Sequence, residues 1–207
     1  MSTSAGFLNR RAAGAGLTST ARLGHSAGVI PHAIILLGGK GTRIAAHFPD
    51  RPKCLVPVAG RPFLEWQFDW LRRNGICRVL LAAGHLADVL ADYLAARPAD
   101  GLEIALSREP EPLGTGGALK FVEPQLTSDP VLVFNGDSLA PNLEFSTLWK
   151  IGGGFFHTVE KKFPHCGKLF MTPSAEAGRF GTVEFAPDGY VTAFREKSAA
   201  QAGHVNA

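Results

Sequence analysis

Cysteine is scarce: only Cys54, Cys77 and Cys166 occur in 207 residues, and no two of them form a CxxC pair. A disulfide scaffold is thereby excluded, and free structural thiols in a reducing compartment are expected, which makes the cytoplasm the expected location. No apolar run approaches the ~20 residues that a membrane-spanning helix needs, so no membrane partner is expected. Excess charge is nearly absent as well. Lys and Arg number 21 against 18 for Asp and Glu, and Arg10, Arg11 and Arg22 in the acid-free first thirty residues account for the difference. The remaining body is neutral and lacks the broad positive field that grips nucleic acid, so no nucleic-acid partner is expected. With 45% hydrophobic and 19% charged residues and a mean hydropathy of +0.07, the composition is that of an ordinary folded domain, neither disordered nor collagen-like.

Residues 1–30 are rich in Ser, Thr, Ala, Gly and Arg and carry no apolar periodicity. They read as a disordered N-terminal extension or a mis-assigned start of the reading frame. The alternative is a targeting segment, since Arg- and Ser-rich leaders without acids are transit-like and Arg10-Arg11 is a twin-arginine pair. Residues 31–207 read as one domain.

From His32 the pattern changes. Ala33 to Leu37 is a continuous apolar run ending in glycines, the mark of a strand buried on both faces. Pro62 to Asn74 predicts a well-buried helix, Val79 to Ala83 a second strand and Leu86 to Ala96 a second helix. Leu102 to Leu106, Gly114 to Val122 and Val131 to Phe134 continue as strand, helix, strand, the last running into Asn135-Gly136-Asp137. Alternation at this spacing predicts βαβ units, an α/β fold whose ligands sit beyond the carboxyl ends of parallel strands.

Two polar clusters fall at such ends. Gly38-Gly39-Lys40-Gly41-Thr42-Arg43 follows the first strand. Small residues there let backbone N–H groups approach a nucleotide, and Arg43 can fork onto phosphate oxygens. The dinucleotide fingerprint fails because Ile44 stands where its third glycine belongs, and the P-loop fails because Gly41 follows Lys40. Downstream, Pro52-Lys53 precedes Leu55-Val56-Pro57-Val58-Ala59-Gly60-Arg61-Pro62. Together, Gly-Gly-x-Gly-Thr-Arg and Pro-Lys-x-Leu-Val-Pro-Val resemble the signature of the sugar-1-phosphate nucleotidyltransferases, the sugar-nucleotide pyrophosphorylases. The stretch Val58-Ala59-Gly60-Arg61-Pro62-Phe63-Leu64-Glu65 is most similar to the small heptose- and mannose-1-phosphate guanylyltransferases. The resemblance runs from about Ile34 to the end of the chain.

The resemblance implies a three-layer, mainly parallel Rossmann-like sheet and transfer of a nucleoside monophosphate from a nucleoside triphosphate, GTP by subgroup, to a sugar 1-phosphate. It implies Mg²⁺ as cofactor, with Asp137 as metal ligand, and lipopolysaccharide-type precursor synthesis as setting. Arg43, Lys53 and Asp137 become the catalytic set, with Arg43 on the triphosphate and Lys53 near the α-phosphate. Gly38, Gly39, Gly41, Thr42, Gly114 and Thr115 become the nucleotide frame. Gly181, Glu184, Lys197 and Asn206 become the sugar-phosphate side. The base and the sugar stay open at this point, uracil being an alternative to guanine, and a homo-oligomer is an open expectation.

Three departures temper this. Leu37 stands where the family usually has alanine, which predicts a crowded first turn. Residues 150–168 lack the expected strand. The chain ends at Asn206-Ala207, where the resemblance implies a further strand and a second metal-binding aspartate, so truncation is expected. The alternative function is therefore an impaired relative that binds nucleotide or a partner chain without turnover. His157, His165 and Cys166 lack the spacing and fourth partner of a zinc site and read as loop residues. Trp66 and Trp70 read as core packing.

Overall fold

The computed structural model describes residues 32–39, 41–127, 131–143, 145, 169, 171–174, 182–187, 191–195 and 203–206, without the side chains of residues 43, 172, 205 and 206. The chain divides into two compact units, one ending at Pro141 and the other beginning at Asn142.

The first unit is built on a parallel sheet of β1 (His32–Leu37), β4 (Arg78–Ala83), β5 (Glu103–Arg108) and β6 (Leu132–Asn135). Before β4 lie α1 (Thr42–Ala45), a single 3-10 turn at Lys53–Leu55, a hairpin of β2 (Pro57–Val58) and β3 (Arg61–Pro62), and α2 (Phe63–Arg73). Helices α3 (Ala87–Ala96) and α4 (Gly114–Val122) follow β4 and β5. Strand order is β5-β4-β1-β6. The chain runs outward from β1 to β5 and then returns to place β6 on the other flank of β1. The order thus reverses between β1 and β6, where open α/β sheets form a crevice.

The continuous apolar runs do what such runs do in parallel sheets: both faces are covered. Ile34, Leu80, Ala82 and Ala105 form a cluster with Ala118 and Val122 of α4. On the opposite face Trp70 of α2 meets Phe134 of β6 edge-to-face, centroids 5.1 Å apart. Helix α2 buries Leu64, Gln67, Phe68 and Leu71, the i, i+3, i+4, i+7 stripe of an amphipathic helix. One member of that stripe, Gln67, is polar. Pro62, expected inside this helix, keeps an extended backbone as the partner of Pro57 and ends just before its first turn. Trp66 departs from the core reading. It is half-buried, donates from Nε1 to the Val58 carbonyl at 2.9 Å, and carries the Arg61 guanidinium 4.6 Å above its ring.

The end of α3 is tied to α2 by a polar knot. Arg97 lies over the Phe68 ring and donates to both oxygens of Glu65, at 2.7 and 3.1 Å, and to Asp100. Tyr93 adds a 2.8 Å hydrogen bond to Glu65.

In the second unit, β7 (Met171–Ser174), β8 (Thr182–Phe185), β9 (Val191–Arg195) and β10 (Gly203–Asn206) form an antiparallel sheet in the order β7-β10-β8-β9. Residues 150–168, with His157, His165 and Cys166, lie outside the described residues, and so does the stretch before His32. No described helix is long and apolar enough to cross a membrane.

Candidate active site

A cavity of about 660 Å³ opens at the carboxyl end of the parallel sheet. Its walls come from the ends of β1 and β6, the 3-10 turn, and the first turn of α4. Gly38, Gly39, Gly41, Gly114 and Thr115 line it, as do Lys53 and Asp137. Thr42 begins α1 beside it and is exposed. Arg43 lies in α1, with its side chain outside the description.

The glycine loop is shaped by what crosses it. A Cβ on Gly38 would stand 2.8 Å from Glu109 Oε1, so glycine is what lets that carboxylate lie against the loop. At the other end Gly41 takes a left-handed backbone, φ +56°, and the stem of Lys53 passes over it, with 3.4 Å between Lys53 Cβ and the place a Gly41 Cβ would take. The loop thus has an acid at Gly38 and a base at Gly41.

Lys53 donates to Asp137 Oδ2 at 2.5 Å. Pro52, extended at ψ 150°, opens the 3-10 turn that carries Lys53. Asp137 stands in a four-residue turn after β6, in which the Ser138 N–H donates to the Asn135 carbonyl at 3.3 Å and the Gly136 N–H to the Leu36 carbonyl at 3.0 Å. Crowding from Leu37 falls on this turn: a Cβ on Gly136 would overlap Leu37 Cδ2 and stand 2.7 Å from the Leu36 oxygen.

Asp137 is a hard oxygen donor with a neighbouring hydroxyl, Ser138 Oγ, 3.4 Å from its Oδ1. Among the described residues no three His, Cys, Asp or Glu side chains gather as a metal cage. One carboxylate beside open cavity suits Mg²⁺, which takes one or two carboxylates and fills its shell with water and substrate phosphates.

Two residues of the site carry no obvious mark in the sequence. Glu109 directly follows β5 in the charged string Arg108-Glu109-Pro110-Glu111, which reads as solvated surface. It instead lines the cavity, with Oε2 accepting the Leu113 N–H at 3.3 Å and Oε1 buried without a partner. Cys54 also lines the cavity; burial pushes its thiol up to about 12, consistent with a structural role.

On the second unit, Glu184 in β8 is held by Arg195 of β9, which donates from Nε to one carboxylate oxygen and from Nη2 to the other, the latter at 3.2 Å. That hydrogen bonding holds the Glu184 carboxyl below its ordinary range. Asn206 lies in β10 with its side chain outside the description, while Gly181 and Lys197 lie outside the described residues.

Comparison with known proteins agrees with this architecture. The nucleotidyl transferase family matches residues 32–205, and the chain belongs to that family. It is 34% identical over 180 residues to the D-glycero-alpha-D-manno-heptose 1-phosphate guanylyltransferase of Aneurinibacillus thermoaerophilus, covering 84% of this chain and 71% of that one. Among solved structures it resembles HddC from Yersinia pseudotuberculosis with a TM-score of 0.69 and 27% identity, over 85% of this chain and 73% of that one. HddC complexed with GMP-PN aligns with a TM-score of 0.67 and 26% identity, over the same shares.

Proposed function

We propose that this nucleotidyl transferase is a guanylyltransferase that joins GTP to a heptose or mannose 1-phosphate, releasing pyrophosphate and forming the GDP-sugar. The observation that carries the choice of base is Glu109, a cavity-lining carboxylate with one buried oxygen unpartnered. A carboxylate offers only acceptors, and guanine presents two donors side by side, N1–H and the N2 amino group. Uracil offers one donor on its pairing edge, and adenine alternates donor and acceptor. A buried acceptor left unmet discriminates strongly, because a base without the matching donor leaves it unmet still. The names of the relative and of the GMP-PN complex support the same base, and the relative's name supports the heptose.

This reading implies the following reaction. An oxygen of the sugar phosphate forms a bond to the α-phosphorus of GTP while the bond from that phosphorus to the β-bridging oxygen breaks, and pyrophosphate leaves with the electron pair. Such transfers need positioning and charge neutralisation more than covalent help. Lys53 neutralises charge near the α-phosphate, and Arg43 holds the triphosphate. The N–H-rich first turn of α4, at Gly114 and Thr115, joins Gly38, Gly39, Gly41 and Thr42 in framing the nucleotide. Asp137 would hold Mg²⁺, which supplies further charge neutralisation on the phosphates. Lys197 is assigned to the incoming sugar phosphate, and Gly181, Glu184 and Asn206 to sugar hydroxyls, by family resemblance.

Pyrophosphate release tests this with the four nucleoside triphosphates against heptose-, mannose-, glucose- and N-acetylhexosamine-1-phosphates. Turnover is expected with GTP and a heptose or mannose phosphate, and Glu109→Gln, which replaces an acceptor by a donor, should erode the preference for GTP over UTP. Turnover with UTP alone, or a preference untouched by Glu109→Gln, would overturn the reading of the base. Nucleotide binding without turnover on any pair would overturn the transferase.

A further inference from the structure

We infer that Gln67 is the positioning residue for the Asp137 carboxylate. Gln67 is 1% exposed and sits on the apolar stripe of α2, where Leu64, Phe68 and Leu71 are its buried neighbours. Its side-chain Nε2 donates to the Asn135 carbonyl and to the Ser138 carbonyl, both at 2.9 Å. Those two carbonyls bracket Gly136-Asp137, so a single amide group from the helix spans the turn that carries the acid.

The price of this arrangement is visible in the other half of the same side chain. Gln67 Oε1 is buried and has no hydrogen-bond partner. A leucine or methionine would fill the helix stripe without leaving an acceptor unmet. What an apolar residue could not do is donate twice, and two donors converging on one turn are what the amide supplies.

The turn needs such an anchor because the carboxylate is not packed in place. The Asp137 side chain is 48% exposed, and the side-chain contacts described for its oxygens are those to Lys53 and to Ser138 Oγ. Its position is therefore inherited from the backbone of residues 135–138. That backbone is held to β1 through Gly136 N–H and Leu36 O, and to α2 through Gln67. Groups that orient a metal ligand in this way govern metal affinity without touching the metal.

The inference rests on the reading of Asp137 as the ligand of a divalent cation, and the test separates the two. Mn²⁺ affinity is measured by calorimetry on the full chain in the presence of a non-hydrolysable GTP analogue, alongside the Mg²⁺ dependence of turnover, the KM for sugar phosphate and the melting temperature. Gln67→Met keeps length and apolar bulk and removes both donors. It should weaken Mn²⁺ binding about 10- to 100-fold, the range of outer-shell effects, and raise the Mg²⁺ concentration needed for half-maximal rate, with the KM for sugar phosphate unchanged. In an Asp137→Asn background it should weaken binding no further. Should Gln67→Met not fold, Gln67→Asn, whose amide is one methylene short of both carbonyls, is expected to show the same loss. A lowered melting temperature with wild-type Mn²⁺ affinity would overturn the positioning role. Wild-type affinity in Asp137→Asn itself would instead overturn the reading of Asp137.

Discussion

The Lys53 ammonium meets the Asp137 carboxylate at 2.5 Å, joining the 3-10 turn to the end of β6 across 84 positions of sequence. Both side chains are well exposed, 38% and 48%, and exposed pairs contribute only ~0–1 kcal/mol to stability. Under the proposed function the pair is two groups held ready for polyanionic substrates, Lys53 for phosphate and Asp137 for a cation, each neutralising the other until those ligands bind.

Lys53→Ala should therefore leave the melting temperature nearly unchanged while lowering turnover by roughly a hundredfold to a thousandfold, ~2.7–4 kcal/mol of transition-state stabilisation. Steady-state rates beside a thermal melt decide it. A variant that melts normally and turns over normally would reduce Lys53 to a surface charge.

The contact between Leu37 and Gly136 makes a second prediction. Gly136→Ala places a methyl group into Leu37 Cδ2 and 2.7 Å from the Leu36 oxygen, and overpacking of this kind costs ~1–3 kcal/mol. Leu37→Ala in the same chain should recover part of the loss, because the side-chain overlap goes and the backbone oxygen stays. Urea midpoints of the two single variants and the double variant measure that coupling. Additive losses would mean that Leu37 does not press on the turn.

How much of this was legible in the sequence depended on whether a residue's neighbours along the chain are also its neighbours in space. The strands β1 and β4 are continuous apolar runs, and α4 begins at a glycine, so periodicity and punctuation alone located them. The cavity position followed from the βαβ alternation, since strand ends are where such sheets bind. Glu109 escaped because its partners, Gly38 and the Leu113 N–H, lie across the fold or around a turn, while its sequence neighbours are charged and proline-rich. Gln67 left a trace, a polar residue on an apolar helix stripe, but its partners are backbone carbonyls at 135 and 138, and backbone groups leave no side-chain signature. Trp66 misled because its spacing to Trp70 is helical, whereas its partners, Val58 and Arg61, belong to a hairpin of two-residue strands too short for periodicity to detect.

The last prediction concerns acid. His32 is 5% exposed at the start of β1, with Nε2 3.0 Å from Thr127 Oγ1. Burial, assisted by the positive charge of Arg78 and opposed by Glu103, holds its pKa below the ordinary 6.5. The unfolded chain therefore binds a proton at this site before the folded one does, and stability must fall as pH falls below 6.5 toward the folded value. Two carboxylates open a second window. Burial pushes Asp69 up, but hydrogen bonds from Arg61 and Arg72 outweigh it and hold its pKa below 3.8. Asp100 is likewise pushed up by burial and held down by Arg97 and the Leu102 N–H. Their contribution is present above the ordinary value and is lost as pH falls through the folded one. Urea midpoints should therefore decline in two steps, one beginning near pH 6.5 and one below about pH 4. His32→Gln, an uncharged side chain that can still reach a hydroxyl, should flatten the first step and leave the second. A first step unchanged in that variant would place the titrating group elsewhere.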